Sequence, residues 1–143
     1  MDTNDILLEK SQNNLHIAET AEELSYLDVA VSRYYYCVYQ KILWILFKKV
    51  NQYSVDKNNG EGSHELAFSH FRRYVYKRAS KKLDPKDMYV ISNLEKSLGD
   101  IKRFRVSADY GQRKITDEEF NKVFKVKYFP IRELVDKVIN IVK

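Results

Sequence analysis

Residues 26–51, YLDVAVSRYYYCVYQKILWILFKKVN, decide the fold class of this chain. Apolar side chains recur at a helical period throughout the segment and occupy nearly every side of the helix that they predict. A helix that is apolar all round is buried by its neighbours or by a second subunit. The segment therefore predicts a central helix, with Trp44 in the core and with Tyr34 and Tyr35 in the core or at a dimer interface.

The other segments predict an all-α, up-and-down bundle of about five helices that forms one domain over residues 1–143. The chain has only four glycines and two prolines, and no strand-like alternation interrupts the helical periodicity. The string SVDKNNGEG predicts a flexible loop at residues 54–62. The predicted helices cover residues 4–24, 26–51, 63–80 and 85–110, and a last helix begins at residue 117.

Helix-start signals place two of these boundaries. Asp84-Pro85 is an N-cap followed by a proline at the first helical position, where the missing N–H costs nothing. Thr116 and Glu119 have the spacing of a capping box, in which each side chain accepts a hydrogen bond from the other residue's backbone N–H. Pro130 lies inside the last helical pattern, and we expect it to kink or break that helix.

The composition favours a cytoplasmic protein. Cys37 is the only cysteine and lies in an apolar stretch, so no intramolecular disulfide can form, which fits a reducing compartment. The first five residues, MDTND, are acidic and polar, unlike a signal peptide. The longest apolar run, residues 42–47, is too short to span a bilayer. We therefore expect no membrane segment.

The charge of the chain is unevenly distributed. Residues 1–28 carry a net charge of −6, so the rest of the chain carries +11. Between residues 71 and 82 there are six cations, three aromatic residues and no acid. Such a run can follow a phosphate backbone while its rings stack on bases, although a basic run is equally typical of the solvated face of a helix. The candidate RNA-binding residues are Arg33, Arg72, Arg73, Lys77 and Arg78.

Motifs of the familiar enzyme classes are missing from the sequence. The three histidines, His16, His64 and His70, lack the spacing of a helical zinc pair, so we expect no metal site. The sequence has no glycine-rich phosphate loop and no nucleophile elbow. We therefore expect no cofactor.

Three short strings carry the remaining chemistry: SRYYY at residues 32–36, GSH at 62–64 and RFRVSADY at 103–110. Arg105 and Asp109 are four residues apart and share a helix face. Together with the N-terminal string LLEKSQNNLHIA, and in this order, the strings resemble the HEPN family. These are small helical-bundle domains that accompany minimal nucleotidyltransferases and many defence systems. The resemblance covers nearly the whole chain.

The resemblance implies a compact HEPN-like bundle that forms a homodimer with a cleft between the subunits. In nuclease members, an arginine followed after four to six residues by a histidine forms an RNA-cleaving site without a metal. The arginine would stabilise phosphate charge, and the histidine would transfer the proton. In this chain a count from Arg105 reaches Tyr110, and a count from Arg103 reaches Asp109. Tyrosine is a poor proton carrier at neutral pH because its pKa is about 10.

The main hypothesis is therefore a toxin–antitoxin or phage-defence module that binds RNA, a nucleotide or a partner protein and has a degenerate nuclease motif. One alternative is a metal-independent ribonuclease that uses Arg105 with another proton carrier. The other is a protein-only partner of a nucleotidyltransferase from the same operon, which would modify a tyrosine near Tyr110. The candidate catalytic residues are Arg105, Asp109, Tyr110 and His64.

The same residues also have structural interpretations. Arg33 and Asp109 are expected to form a partly buried ion pair between the second and fourth helices. Tyr110 is expected in the core or at the dimer interface. His64 either reaches Arg33 or Arg105 across the bundle or only forms hydrogen bonds at the start of its own helix.

Overall fold

A computed structural model describes residues 3–50, 53 and 62–143 of the chain, and within these residues it has six α-helices and no strand. The all-α prediction is thus confirmed. Apart from Gly62, the loop predicted at residues 54–62 lies outside the described residues.

Two of the helices contain a turn of different pitch. Helices α1 and α2 cover Thr3–Glu23 and Leu27–Lys49. Helix α3 covers Ser63–Tyr74 and is extended by a π turn at Val75–Ala79 and a 3₁₀ turn at Ser80–Lys82. Helices α4 and α5 cover Pro85–Ser92 and Leu94–Tyr110. The last helix, α6, begins at Asp117–Glu119, widens into a π turn at Phe120–Phe124 and continues over Lys125–Val142.

Helix α2 is the centre of the bundle, as its composition predicts. It packs against α1, α3, α5 and α6. Trp44, Tyr34 and Tyr35 are all buried, and Trp44 and Tyr35 are among the largest side chains of the core. A single hydrophobic cluster joins side chains from all six helices of the described segments.

Aromatic rings form the contact between α2 and α6. Tyr34 of α2 lies against Phe120, Phe124 and Tyr128, which follow one another at four-residue intervals in α6, with centroid distances of 6.5, 6.4 and 5.0 Å. The hydroxyl of Tyr128 donates to the backbone carbonyl of Tyr34 at 2.7 Å. Burial of each ring contributes about 1.5–3 kcal/mol, and each ring pair adds about 0.5–1.5 kcal/mol.

Both helix-start signals act as the sequence predicts. Asp84 accepts a hydrogen bond from the backbone N–H of Asp87, with Pro85 in the first turn. Thr116 and Glu119 form the reciprocal pair of the capping box. These caps are recognisable from sequence because each involves residues only three positions apart.

The single helix predicted over residues 85–110 is wrong, because the chain breaks into α4 and α5 at Asn93. Ile91 of α4 is buried and Asp87 accepts from Lys137 of α6 at 3.0 Å, whereas α5 packs along α2 as well as against α6. The break therefore separates a short helix that packs on α6 from a longer helix that also packs on α2.

The break predicted at Pro130 is also wrong, because α6 continues through it to Val142. Proline removes one backbone donor, which would have bonded to the carbonyl of Val126. Tyr128 and Ile131, on either side of Pro130, are fully buried. Packing of these neighbouring turns against the core therefore outweighs the loss of one hydrogen bond.

No helix in the described segments combines the length and the apolar composition that crossing a bilayer requires.

The ion pair between Lys41 of α2 and Asp136 of α6 generates a stability prediction. Their atoms lie 2.6 Å apart, and the Lys41 side chain is 11% exposed against 47% for Asp136. Asp136→Ala leaves the lysine ammonium buried without its partner, and we expect it to lower the free energy of unfolding by about 1–3 kcal/mol in urea titrations.

Glu118→Ala is the matched control, because it breaks the Lys122–Glu118 pair, whose side chains are 75% and 77% exposed. The expected loss there is below about 0.5 kcal/mol. Equal losses in the two variants would contradict a special role for burial at Lys41.

Candidate functional site

Side chains from three helices meet around the ring of Tyr35, which α2 holds in the core. Helix α3 contributes His64, helix α5 contributes Arg105 and Asp109, and α2 itself contributes the adjacent Tyr36. These five residues are called the Tyr35 cluster below. The cluster joins three of the predicted catalytic residues, although they lie up to 45 positions apart in the sequence.

His64 is joined to Tyr35 in the cluster by a hydrogen bond. Its Nδ1 lies 2.5 Å from the hydroxyl oxygen of Tyr35, and its ring stacks on Tyr39 with a centroid distance of 4.1 Å. Burial, together with the nearby charges of Lys102 and Arg105, lowers the pKa of His64 from 6.5 to about 4. Burial also raises the pKa of Tyr35. At neutral pH the pair is therefore a neutral imidazole and a protonated phenol.

Arg105 is the buried cation of the cluster. It is 8% exposed, and its guanidinium carbon lies 5.4 Å and 5.5 Å from the ring centroids of Tyr35 and Tyr36. One terminal nitrogen lies 3.6 Å from a carboxylate oxygen of Asp109, which confirms that these two residues share a helix face. Its Nε is buried and has no hydrogen-bond partner in the described part of the chain.

Two predicted site residues lie away from the cluster. Arg33 is exposed on α2, and its terminal nitrogen lies 3.4 Å from the side-chain oxygen of Asn14 in α1. The predicted Arg33–Asp109 ion pair is wrong, because Asp109 pairs with Arg105 on its own helix. Tyr110 is 75% exposed, so its prediction as a core residue is also wrong, whereas its place at a dimer interface stays a prediction. It is the last residue of α5 and is followed by Gly111 in an extended conformation.

The cations between residues 71 and 82, called the basic run below, lie on the outer side of α3 and its π and 3₁₀ extensions. Phe71, Val75 and Ala79 anchor the run in the core. These three residues are four positions apart, and they lie along one side of the helix because a π turn contains more residues than an α turn. None of its six cations forms an ion pair with another residue of the described segments, and Tyr76 is 60% exposed. The cations are Arg72, Arg73, Lys77, Arg78, Lys81 and Lys82.

Sequence reasoning missed that Tyr35 lies between the histidine and the arginine, with its hydroxyl hydrogen-bonded to His64 and its ring against Arg105. Tyr35 and Tyr39 are four residues apart, so their common helix face could have been read from the sequence. Nothing in the sequence indicates that His64 would lie on that face, because the contact joins positions 29 residues apart. The ion pair of Lys102 with Glu65, at 2.5 Å, fastens α5 to α3 beside the cluster and was likewise missed.

The described residues contain no group of three or more histidine, cysteine, aspartate or glutamate side chains that could hold a metal ion. Within the Tyr35 cluster, the groups suited to chemistry are thus an organic cation, a neutral imidazole and phenol hydroxyls. Such groups can bind and orient a phosphate or transfer a proton.

No family model, curated protein or solved structure matches the chain. The resemblance to the HEPN family therefore rests on the sequence strings and stays a prediction.

The lowered pKa of His64 predicts a pH dependence of stability. The unfolded chain binds the histidine proton near pH 6.5, whereas the folded chain resists it down to about pH 4. Protons therefore favour unfolding in this interval, and the stability present above about pH 6.5 falls as the pH drops toward 4. We expect urea midpoints to decrease over this range, and His64→Gln to flatten the decrease.

His70 needs its own control, because burial and Arg73 lower its pKa as well. The His64→Gln comparison is therefore made in a His70→Gln background. An unchanged slope after the His64 replacement would contradict the buried, neutral state of this imidazole.

Proposed function

We propose that this chain is a HEPN-like RNA-binding protein of a toxin–antitoxin or phage-defence system, and that the basic run contacts the RNA backbone. The observation that carries the proposal is a run of six cations on α3 and its extensions without carboxylate partners in the described segments. Within those segments no carboxylate competes with a nucleic acid for their charges, and release of the counterions of a nucleic acid is the main source of sequence-independent affinity.

The dimensions of the basic run suit a nucleic-acid strand. Ten residues separate Arg72 from Lys82, which at a helical rise of 1.5 Å per residue corresponds to about 15 Å. A strand with one phosphate per 3.4 Å would place about four phosphates along that length. Tyr76, exposed in the middle of the run, offers a ring on which a base can stack.

The Tyr35 cluster supports binding over cleavage. A phosphate that approached Arg105 would compete with Asp109 and would have to enter a region in which the arginine is 8% exposed. His64 has a pKa of about 4, so almost none of it is protonated at pH 7 to act as an acid. We infer that the cluster orders α2, α3 and α5 beneath the RNA.

The family resemblance supports two further parts of the proposal. HEPN-like domains pair, so we propose a homodimer as the binding unit. The single cysteine, Cys37, is a buried thiol, and burial raises its pKa. An unreactive thiol without a disulfide fits a reducing cytoplasm.

Filter binding of labelled RNA at several salt concentrations tests the proposal. We expect the affinity of the wild-type protein to fall steeply with salt. Lys77→Glu combined with Arg78→Glu should weaken binding about tenfold or more and flatten the slope of log K against log salt by about 1.4, the value for two phosphate contacts on a single strand.

Lys48→Glu combined with Lys49→Glu provides the control, because it makes the same charge change at two exposed positions at the end of α2. This variant should bind RNA within about twofold of the wild type. Equal weakening by the two double variants would reject the basic run as the site. Wild-type binding without salt dependence would reject contact of the basic run with the RNA backbone. No binding by the wild type would reject RNA binding, and the protein-partner hypothesis would then remain.

A second candidate is a metal-independent ribonuclease, and one observation favours it. His64 and Arg105, a proton carrier and a phosphate-binding cation, both contact the ring or hydroxyl of Tyr35. The buried and unpartnered Nε of Arg105 is a donor that a phosphate could occupy.

Incubation with a mixed tRNA and mRNA pool in EDTA tests this candidate. A ribonuclease of this kind predicts metal-free cleavage that drops by about 10²-fold or more in both Arg105→Lys and His64→Gln, with helical content unchanged by circular dichroism. Cleavage at equal rates by wild type and variants would identify a contaminating nuclease. Intact RNA in every tube would leave the binding function alone.

A further inference from the structure

Helix α5 carries a second charged surface on the side opposite the Tyr35 cluster. Asp100, Arg103 and Ser107 share one face of the helix, whereas Arg105 and Asp109 share the other. The first face lines a groove with the start of α6 that encloses about 270 Å³. A neighbouring cavity of about 280 Å³ shares Asp100 and Lys127 with it and continues past Lys96.

The groove has more positive charge than its carboxylates neutralise. The Asp100 side chain, 10% exposed, pairs with Lys127 at 2.7 Å, with Lys96 at 3.4 Å and with Arg103. One carboxylate therefore holds three cations. With the separate Arg113–Glu119 pair, the groove and its rim carry four cations and two carboxylates, a net charge of +2.

These cations keep free donors toward the solvent. Arg103, Arg113 and Lys96 have side chains 69–77% exposed. An arginine has five N–H groups and a lysine ammonium has three. Arg113 uses two of its five on Glu119, at 2.7 and 2.9 Å, and Lys127 uses one on Asp100.

Backbone geometry brings Arg113 to the groove. The N–H of Gly111 donates to the carbonyl of Ser107 at 2.8 Å, and a Cβ on Gly111 would collide with that carbonyl oxygen. Only glycine therefore allows the chain to turn so closely against the end of α5. Glu119 then orients Arg113 while it also closes the capping box with Thr116. The arrangement is set by the fold before any ligand arrives.

We propose that this groove binds the dianionic phosphate of a phosphomonoester, with Lys127, Arg103 and Arg113 as donors. A phosphomonoester carries a charge of about −1.5 to −2 at pH 7, which exceeds the net +1 of the residues that line the groove and matches the +2 reached when Lys96 of the neighbouring cavity is included. A phosphodiester carries only one negative charge and would neutralise less of this positive charge. The site is independent of RNA binding by the basic run. The phosphate could belong to a small molecule or to the 5′ end of an RNA.

Isothermal titration calorimetry of the full chain at low salt tests the site, with inorganic phosphate, adenosine 5′-monophosphate and adenosine as probes. We expect the two phosphate compounds to bind and adenosine not to bind. Lys127→Gln should weaken binding of the monophosphate about tenfold, because one charge-assisted hydrogen bond is lost.

Lys122→Gln is the matched control. Like Lys127, Lys122 is a lysine of α6 that pairs with a carboxylate, in this case Glu118 at the surface. It should leave the monophosphate affinity unchanged. Equal weakening by the two variants would show nonspecific attraction and overturn the site, as would equal binding of adenosine. No binding of either phosphate compound at millimolar concentration would also overturn it.

Two further experiments distinguish the possible sources of the phosphate and separate phosphate binding in the groove from RNA binding by the basic run. A short RNA with a 5′ phosphate that displaces the monophosphate, when its 5′-hydroxyl counterpart does not, would support the site and assign it to RNA ends. Displacement by neither would support a small-molecule ligand. The double variant Lys77→Glu, Arg78→Glu should bind the monophosphate normally, so failure of RNA binding and failure of this site are distinguishable.

Discussion

A largely apolar helix must bury most of its surface, and the buried residues of α2 cover its circumference except for one stripe that carries the exposed Val29 and Arg33. Four other helices must therefore pack on it, and they do so from α1 before it to α6 at the end of the chain. The irregular turns of the outer helices follow from this need to bury the apolar surface of α2. The break at Asn93 and the continuous passage of α6 through Pro130 both keep side chains against the common core, at the expense of regular helical hydrogen bonding.

The tyrosines of α2 and α6 place polar hydroxyl groups inside this core. A buried phenol needs a partner for its hydroxyl, since an unsatisfied one costs about 1–3 kcal/mol. Tyr34 bonds to Glu22 of α1, Tyr35 bonds to His64 of α3, and Tyr128 bonds to the backbone of α2. Each hydroxyl thus fixes a different helix against α2. The same requirement that stabilises the bundle also assembles the Tyr35 cluster.

The two faces of helix α5 differ in their balance of cations and carboxylates. On one face, a single carboxylate, Asp109, faces the single buried cation Arg105, and this pair carries no excess charge. On the other face, Asp100 holds three cations, and the excess remains open to the solvent. Binding of anions is therefore easier on the face away from the Tyr35 cluster, because the cations there are more exposed than Arg105 and keep N–H donors that Asp100 does not use.

The sequence by itself determined the all-α class, the central position of α2, both capped helix starts, and the helix face that Arg105 and Asp109 share. Each of these follows from composition, from the 3.6-residue period or from contacts within one helical turn. Tertiary structure alone decided where α4 ends, that Pro130 is tolerated, that Tyr110 is exposed, and that His64 and Arg105 meet at Tyr35. Those outcomes depend on which helices pack together, and residues 29 or more positions apart leave no local pattern of their contact.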